Sequence, residues 1–208
     1  MIDYAYLLTD GDVNGVAGRR LLTKLCGLEY SSVRAIVKGS RKELRKSILN
    51  LVNNLEPLLM IVDLENDAKC APELLDGWLK DHRMMGLRCL RVAVRAIESW
   101  VMADAEGLGE FLGVSPNRIK REWSAFRKPD FIDFPKDFLT QRVIPISRKK
   151  EIRNSMIPGG GERVGKGYNN QLRRFLSEFW DPERGAINSP SLESAVRCIR
   201  NVFGQDRK

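Results

Sequence analysis

The segment Leu58-Leu59-Met60-Ile61-Val62-Asp63-Leu64-Glu65-Asn66-Asp67 joins five consecutive apolar side chains to three carboxylates. An unbroken apolar run of this length is typical of a strand that is covered on both faces, as central strands of parallel sheets are. The carboxyl ends of parallel strands lie along one edge of the sheet, where ligands bind. The segment therefore predicts a central strand of an α/β sheet that ends in acidic side chains at that edge.

Shorter apolar runs and helical patterns alternate on both sides of this segment. Strands are predicted at residues 4–9, 32–37, 58–62 and 90–94, and helices at residues 16–25, 40–51 and 72–83. Ser40 is the expected cap of the second helix, with Glu43 completing a capping box. Strands separated by helices of this length indicate right-handed βαβ crossovers and a mainly parallel sheet flanked by helices.

The alternation weakens beyond Leu112, and only helices are predicted near residues 169–179 and 190–203. We expect an α/β domain over residues 1–145 and a basic helical C-terminal extension over residues 146–208, packed on that domain. The formal net charge is +8, and residues 146–208 contribute +6 of it through 13 Lys and Arg against 7 Asp and Glu. A basic segment beside an acidic cluster favours a phosphate-rich partner such as nucleic acid. The alternative is an ordinary basic surface without such a partner.

The composition also bounds the compartment. No run of 18 apolar residues exists, and the chain enters a strand pattern directly after Met1, so we expect neither a transmembrane helix nor a signal peptide. The four cysteines are widely spaced and contain no CxxC pair. We therefore predict buried free thiols in a reducing cytoplasm, without a zinc site or a disulfide framework.

The acidic residues at the strand ends are the candidate metal ligands. Asp10 follows the first strand, and Gly11 after it would permit a sharp turn and leave room for a phosphate. If residues 63–67 are extended, Asp63 and Glu65 face the same side and can bind one ion, while Asp67 either joins them or caps the next helix. Because clustered carboxylates repel one another, we expect a hard divalent cation, Mg²⁺ or Mn²⁺, to join them. An ordinary Asx turn is the alternative for Asp10.

The segment after the fourth strand supplies another candidate. Glu98 is a further metal ligand or a general base that activates water. Trp100 is expected in the core, and Asp104 is expected to cap the helix that begins at Ala105.

Basic residues in the second half of the chain are the candidate phosphate contacts, and they are Arg148, Lys149, Lys150, Arg163 and Lys166. The last two belong to a glycine-rich loop with the glycine and lysine spacing of a P-loop. Gly167 stands where a P-loop has Ser or Thr, and no apolar strand precedes the loop, so we reject that motif. The loop either contacts phosphates or is a flexible surface loop. The single histidine, His82, is expected at an exposed helix end and cannot supply a catalytic triad.

As a set, these residues resemble the Toprim fold of topoisomerases, primases and OLD-type nucleases. The segment Val92-Ala93-Val94-Arg95-Ala96-Ile97-Glu98-Ser99-Trp100-Val101-Met102-Ala103-Asp104 resembles an uncharacterised Toprim-like family of bacteria and archaea, related to OLD-type nucleases and RloB-like phage-defence proteins. Two later stretches, Gly165-Lys166-Gly167-Tyr168 and Asn188-Ser189-Pro190-Ser191-Leu192, are similar to that family's closing segments.

The resemblance implies roles for the acidic residues. Asp10 stands in place of the fold's usual glutamate, and Asp63 and Glu65 stand in place of its paired aspartates. Glu98 would be the acidic residue of the family's Glu-x-Trp segment.

The function expected from the residues and the resemblance together is Mg²⁺-dependent hydrolysis of nucleic-acid phosphodiesters, with a role in phage defence. The alternative is a catalytically inactive subunit that binds nucleic acid or an ATPase partner. Nucleotidyl transfer ranks last because the sequence shows no NTP site.

Overall fold

The computed structural model describes residues 2–79 and 88–204. The chain divides into two compact units, one formed by Met1–Val94 with Ser194–Lys208 and the other by Arg95–Glu193. The sequence predicted a boundary at residue 145. The division falls instead after the fourth strand. The reason is that the helical segments after Val94 pack on one another instead of adding strands and crossovers to the sheet.

A four-stranded parallel sheet forms the centre of the first unit, as the sequence predicts. Its strands are β1 (Ala5–Thr9), β2 (Val33–Val37), β3 (Leu58–Asp63) and β4 (Arg88–Ala93). The strand order is β2-β1-β3-β4, and all neighbouring strands are parallel. The apolar residues of β3 have no exposed surface, which confirms the central position expected from their unbroken run.

Helices join the strands of the first unit. They are α1 (Asp12–Cys26), α2 (Arg41–Asn54) and α3 (Ala71–Leu79). The Ser40 side chain caps α2 by accepting a hydrogen bond from the backbone N–H of Glu43 at 3.3 Å, as expected. Because α1 and α2 begin directly after β1 and β2, their first turns lie at the carboxyl edge of the sheet. The end predicted for α3 and the position of His82 lie outside the described residues.

The cysteines of the first unit differ from the expectation of four buried free thiols. Cys89 of β4 and Cys198 form a disulfide across a sequence separation of 109 residues, with Cα atoms 6.1 Å apart. Cys26 is half-buried and Cys70 is exposed, and both are free. The prediction was wrong because a pairing over this separation depends on tertiary contact, which no spacing pattern reports.

The described residues of the second unit form helices and connecting loops, without a strand. Its helices are α4 (Ile97–Ala103), α5 (Ala105–Leu112), α6 (Pro116–Trp123), α7 (Pro135–Phe138), α8 (Lys150–Met156), α9 (Tyr168–Glu178), α10 (Pro182–Ala186) and α11 (Pro190–Phe203), of which α11 continues into the first unit. Helices α9 and α11 confirm the two helices predicted near the end of the chain. Within residues 2–79 and 88–204, no helix is long and apolar enough to cross a membrane.

Candidate functional site at the carboxyl edge of the sheet

Two carboxylates meet at the carboxyl edge of the adjacent strands β1 and β3. Asp10 directly follows β1, and Asp63 is the last residue of β3. Between them lies Asn14, in the first turn of α1. Its Nδ2 donates hydrogen bonds to Asp10 Oδ1 at 2.8 Å and to Asp63 Oδ1 at 3.3 Å. The structure therefore brings Asp10 and Asp63 together around one amide nitrogen.

Arg41 supplies the positive charge at this edge. From the first turn of α2, its NH1 donates to Asp10 Oδ2 at 3.2 Å, and its Nε donates to Asp67 Oδ2 at 2.6 Å. A further hydrogen bond runs from NH2 to the Leu64 carbonyl at 3.2 Å, and the guanidinium lies 5.0 Å from the centre of the Trp78 ring. A guanidinium therefore joins two of the carboxylates at this edge, and the expected divalent cation stays a prediction.

Sequence reasoning missed Arg41 and gave Asn14 no role. Both residues lie in the first turn of a helix that follows a strand of the sheet. That position was the available signal, because the first turn after a parallel strand lies at the ligand-binding edge.

Glu65 departs from the extended geometry predicted for residues 63–67. The strand ends at Asp63, and Glu65 has a left-handed backbone with a φ of 50° in a turn. Alternation therefore does not place Glu65 on the side of Asp63, and the Glu65 side chain is exposed. Asp67 pairs with Arg41, with its Oδ2 2.6 Å from the Arg41 Nε. In the part of the chain that the structure describes, no three His, Cys, Asp or Glu side chains form a group able to hold a metal.

The donor atoms around Asn14 nevertheless fit a magnesium ion. Asn14 is only 4% exposed, and its Oδ1 is buried without a hydrogen-bond partner among the described residues. Mg²⁺ is commonly bound through one or two protein carboxylates and completes its shell with waters and substrate phosphates. Asp10 and Asp63 supply two such carboxylates. The Asn14 amide turns its nitrogen towards them, so its unpartnered oxygen would reach a shared ion only after the amide rotates.

Gly11 borders open space beside these carboxylates. The chain bends at Asp10 and Gly11 between β1 and α1, as expected. The Gly11 backbone is extended, with a φ of −164°, so this bend does not use a left-handed glycine. A Cβ added at Gly11 would meet nothing within 4 Å. The position is therefore free of steric constraint and leaves room for a ligand in front of α1.

Glu98 is a buried residue of the second unit. It is 2% exposed, and its Oε1 accepts a hydrogen bond from the Tyr168 hydroxyl at 3.0 Å. The Lys136 ammonium lies 3.7 Å from the same oxygen. Burial, together with the neighbouring Glu98 carboxylate, raises the pKa of Tyr168 well above its ordinary value, so Tyr168 remains a hydrogen-bond donor. Glu98 Oε2 is buried without a hydrogen-bond partner in the described part of the chain.

Trp100 and Asp104, from the same segment as Glu98, stabilise the second unit. Trp100 has no exposed surface, and its indole N–H donates to Ser191 Oγ at 2.8 Å. Asp104 accepts a hydrogen bond from the Gly107 N–H at 3.1 Å as the cap of α5, and Arg184 binds both of its carboxylate oxygens at 2.9 and 3.0 Å. The core position of Trp100 and the capping role of Asp104 are confirmed.

The predicted phosphate contacts are distributed over separate surfaces of the second unit. Arg148, Lys150, Arg163 and Lys166 are exposed, and Lys149 is half-buried. Arg163 and Lys166 border the same cavity of about 350 Å³. Arg163 is already bound to both carboxylate oxygens of Asp137, at 2.7 and 3.1 Å. Lys149 Nζ donates to the Glu110 carbonyl at 3.1 Å, while Arg148 borders another cavity, of about 460 Å³.

The end of the glycine-rich loop is held in place by backbone contacts. The Gly165 N–H donates to the Met156 carbonyl at 2.9 Å, and the Gly167 N–H donates to the Ser155 carbonyl at 3.0 Å. A Cβ at either glycine would collide with Ser155. This part of the loop is therefore an ordered support that presents Lys166 at the surface.

Comparison of the chain with protein-family models, curated proteins and solved structures finds no match in any of the three.

Proposed function

We propose that the protein is a Toprim-like phosphodiester hydrolase that acts on nucleic acid and depends on Mg²⁺ or Mn²⁺. The observation that carries the proposal is the contact of one Asn14 amide with the carboxylates of Asp10 and Asp63. Two carboxylates from adjacent parallel strands, with open space beside Gly11, suit a metal-bound phosphate.

Each residue of the cluster has a role in this proposal. Asp10 and Asp63 hold the ion, and Asn14 orients both carboxylates through its amide nitrogen. When bound, the ion polarises the phosphate and lowers the pKa of the attacking water. Arg41 balances the charge of Asp10, and Asp67 acts through Arg41 because the two are paired.

The other site residues predicted from the sequence lie outside the cluster of Asp10, Asn14 and Asp63. Glu65 stays a predicted metal ligand that would have to enter the cluster from its exposed turn. Glu98 stays a predicted water-orienting residue, and its unpartnered oxygen is compatible with a hydrogen bond to water, although its burial keeps it from bulk solvent. The exposed basic residues would hold the phosphate backbone without selecting a sequence.

The proposal is tested with Asp63→Asn, which keeps the hydrogen-bond acceptor for Asn14 and removes the charge. We expect loss of the Mn²⁺ binding signal in calorimetry and a decrease of about a hundredfold or more in cleavage of plasmid and single-stranded substrates. Asp76→Asn is the matched control, because Asp76 is an exposed acid on α3 of the same unit. Cleavage undiminished by Asp63→Asn would refute the assignment.

A second candidate function is that of a catalytically inactive subunit, which binds nucleic acid or an ATPase partner in phage defence. The pairing of Arg41 with Asp10 and Asp67 favours this candidate, because it balances the cluster without a metal. Retained nucleic-acid binding in the absence of any Mn²⁺ or Mg²⁺ heat signal would select this candidate over the hydrolase.

A further inference from the structure

The second unit exposes a group of aromatic side chains. Across residues 2–79 and 88–204, six large hydrophobic side chains are exposed, and three of them are Phe126, Phe131 and Phe134, at 40%, 60% and 60% exposure. The three exposed rings lie within nine residues of one another in the chain. Exposed apolar patches mark interaction sites. We call Phe126–Phe134 the aromatic segment.

The aromatic segment is ordered by buried neighbours. Phe131 ends a 3₁₀ turn that begins at Pro129. The buried carboxylate of Asp130 accepts hydrogen bonds from the Ser189 hydroxyl at 2.6 Å and the Ser191 N–H at 2.9 Å. Because an acidic side chain is directed inwards and a phenyl ring outwards, the exposure of Phe131 is imposed by the packing. A ring that is held in place before binding loses little conformational entropy on contact with a ligand.

The charges of the aromatic segment favour an anionic ligand. Arg127 is exposed and Lys128 is half-buried at the same surface segment. Of the two acids of the segment, Asp130 is buried, and Asp133 is 75% exposed and lies 3.8 Å from Arg95. Cations next to outward-facing rings are the combination that binds single-stranded nucleic acid, through phosphate contacts and base stacking.

We infer that the aromatic segment binds single-stranded nucleic acid, with bases stacked on Phe131 and Phe134 and phosphates held by Arg127 and Lys128. This inference rests on the proposed function for one point, which is that the ligand is nucleic acid. Duplex is disfavoured because the faces of its bases are already stacked on one another. Phe126 contributes less, because its ring packs edge-on against Phe138 at 5.5 Å.

The experiment measures binding of short labelled single-stranded and duplex oligonucleotides by fluorescence anisotropy. A chelator is present, so that cleavage plays no part. We expect Phe131→Ala and Phe134→Ala each to weaken single-strand binding by roughly fivefold to a hundredfold, with little effect on duplex binding. Tyr30→Ala is the matched control, because Tyr30 is an aromatic residue of the first unit with 67% exposure.

Two further variants separate stacking from general apolar contact and from charge. Phe131→Trp should retain single-strand affinity, whereas Phe131→Leu should lose it, because leucine has no π face. The phenylalanine variants should leave the salt dependence of binding unchanged. Lys128→Gln should reduce the slope of log affinity against log salt by about 0.7.

The outcomes distinguish this inference from the proposed function. If the phenylalanine variants bind single strands as the wild type does, while Asp63→Asn abolishes cleavage, only the inference falls. If the wild type binds no nucleic acid at any salt concentration, either with the chelator or with Mg²⁺, the proposed function falls with it. If sedimentation shows that the wild type self-associates and the phenylalanine variants do not, the segment is an interface between copies of the chain and the inference is overturned.

Discussion

Replacement of Arg41 by glutamine tests the electrostatics of the sheet edge most directly. The substitution keeps a polar side chain at the start of α2 but removes the guanidinium that joins Asp10 to Asp67. The carboxylate of Asp10, held with that of Asp63 around one Asn14 nitrogen, then loses its ion pair. We expect the variant to be less stable and more responsive to divalent cations.

The magnitude follows from the geometry of the ion pairs. The side chains of Arg41 and Asp10 are 18% and 10% exposed, whereas that of Asp67 is 41% exposed. A hydrogen bond between charged groups is worth about 1.5–3 kcal/mol when shielded and less when solvated. We therefore expect a decrease of about 2 kcal/mol in the free energy of unfolding. For a chain of this size, that decrease lowers Tm by about 4–8 °C.

Thermal unfolding with and without Mg²⁺ is the assay. A bound cation would replace the missing guanidinium charge, so Mg²⁺ should raise the Tm of Arg41→Gln more than that of the wild type. Arg45→Gln is the matched control, because Arg45 is exposed one turn further along α2. If Arg41→Gln is as stable as Arg45→Gln and Mg²⁺ shifts both equally, the charge balance argued for this edge is refuted.

Three further predictions concern side chains away from the sheet edge. Burial raises the pKa of the Cys26 thiol to about 11, so iodoacetamide at pH 8 should modify exposed Cys70 well before Cys26; mass spectrometry showing equal rates would contradict this. The Cys89–Cys198 disulfide closes a loop with a sequence separation of 109 residues. Its reduction should lower the free energy of unfolding, measured by urea titration, by about 4 kcal/mol. An unchanged urea midpoint in the Cys198→Ser variant would contradict that prediction. Burial also raises the pKa of Asp130, so the folded state binds this proton more tightly than the unfolded state does. The resulting stabilisation is fully present below the unfolded pKa and is lost as pH rises through the folded pKa. On acidification, the wild type should therefore gain stability relative to Asp130→Asn, and parallel pH profiles of the two would exclude this linkage.

Local features of this protein could be predicted because their causes are local. The apolar run of β3 indicates a strand covered on both faces, and the structure buries it between β1 and β4. Ser40 and Asp104 were recognisable as helix caps because a cap bonds to backbone N–H groups within a few residues of itself. The positions of Asp10 and Asp63 at one edge followed from the parallel arrangement of their strands.

The partners of these residues were decided by the tertiary structure. The strand order β2-β1-β3-β4 places the start of α2 beside the ends of β1 and β3, so Arg41 reaches Asp10 and Asp67 over sequence separations of 31 and 26 residues. The turn at Glu65 likewise replaced the extended segment that alternation suggested. Periodicity and capping patterns report interactions between near neighbours in the chain. A salt bridge or disulfide between distant residues depends on how separate elements pack. The sequence alone therefore determined the sheet and its acidic edge. Only the tertiary structure determined which side chain balances the negative charge at that edge.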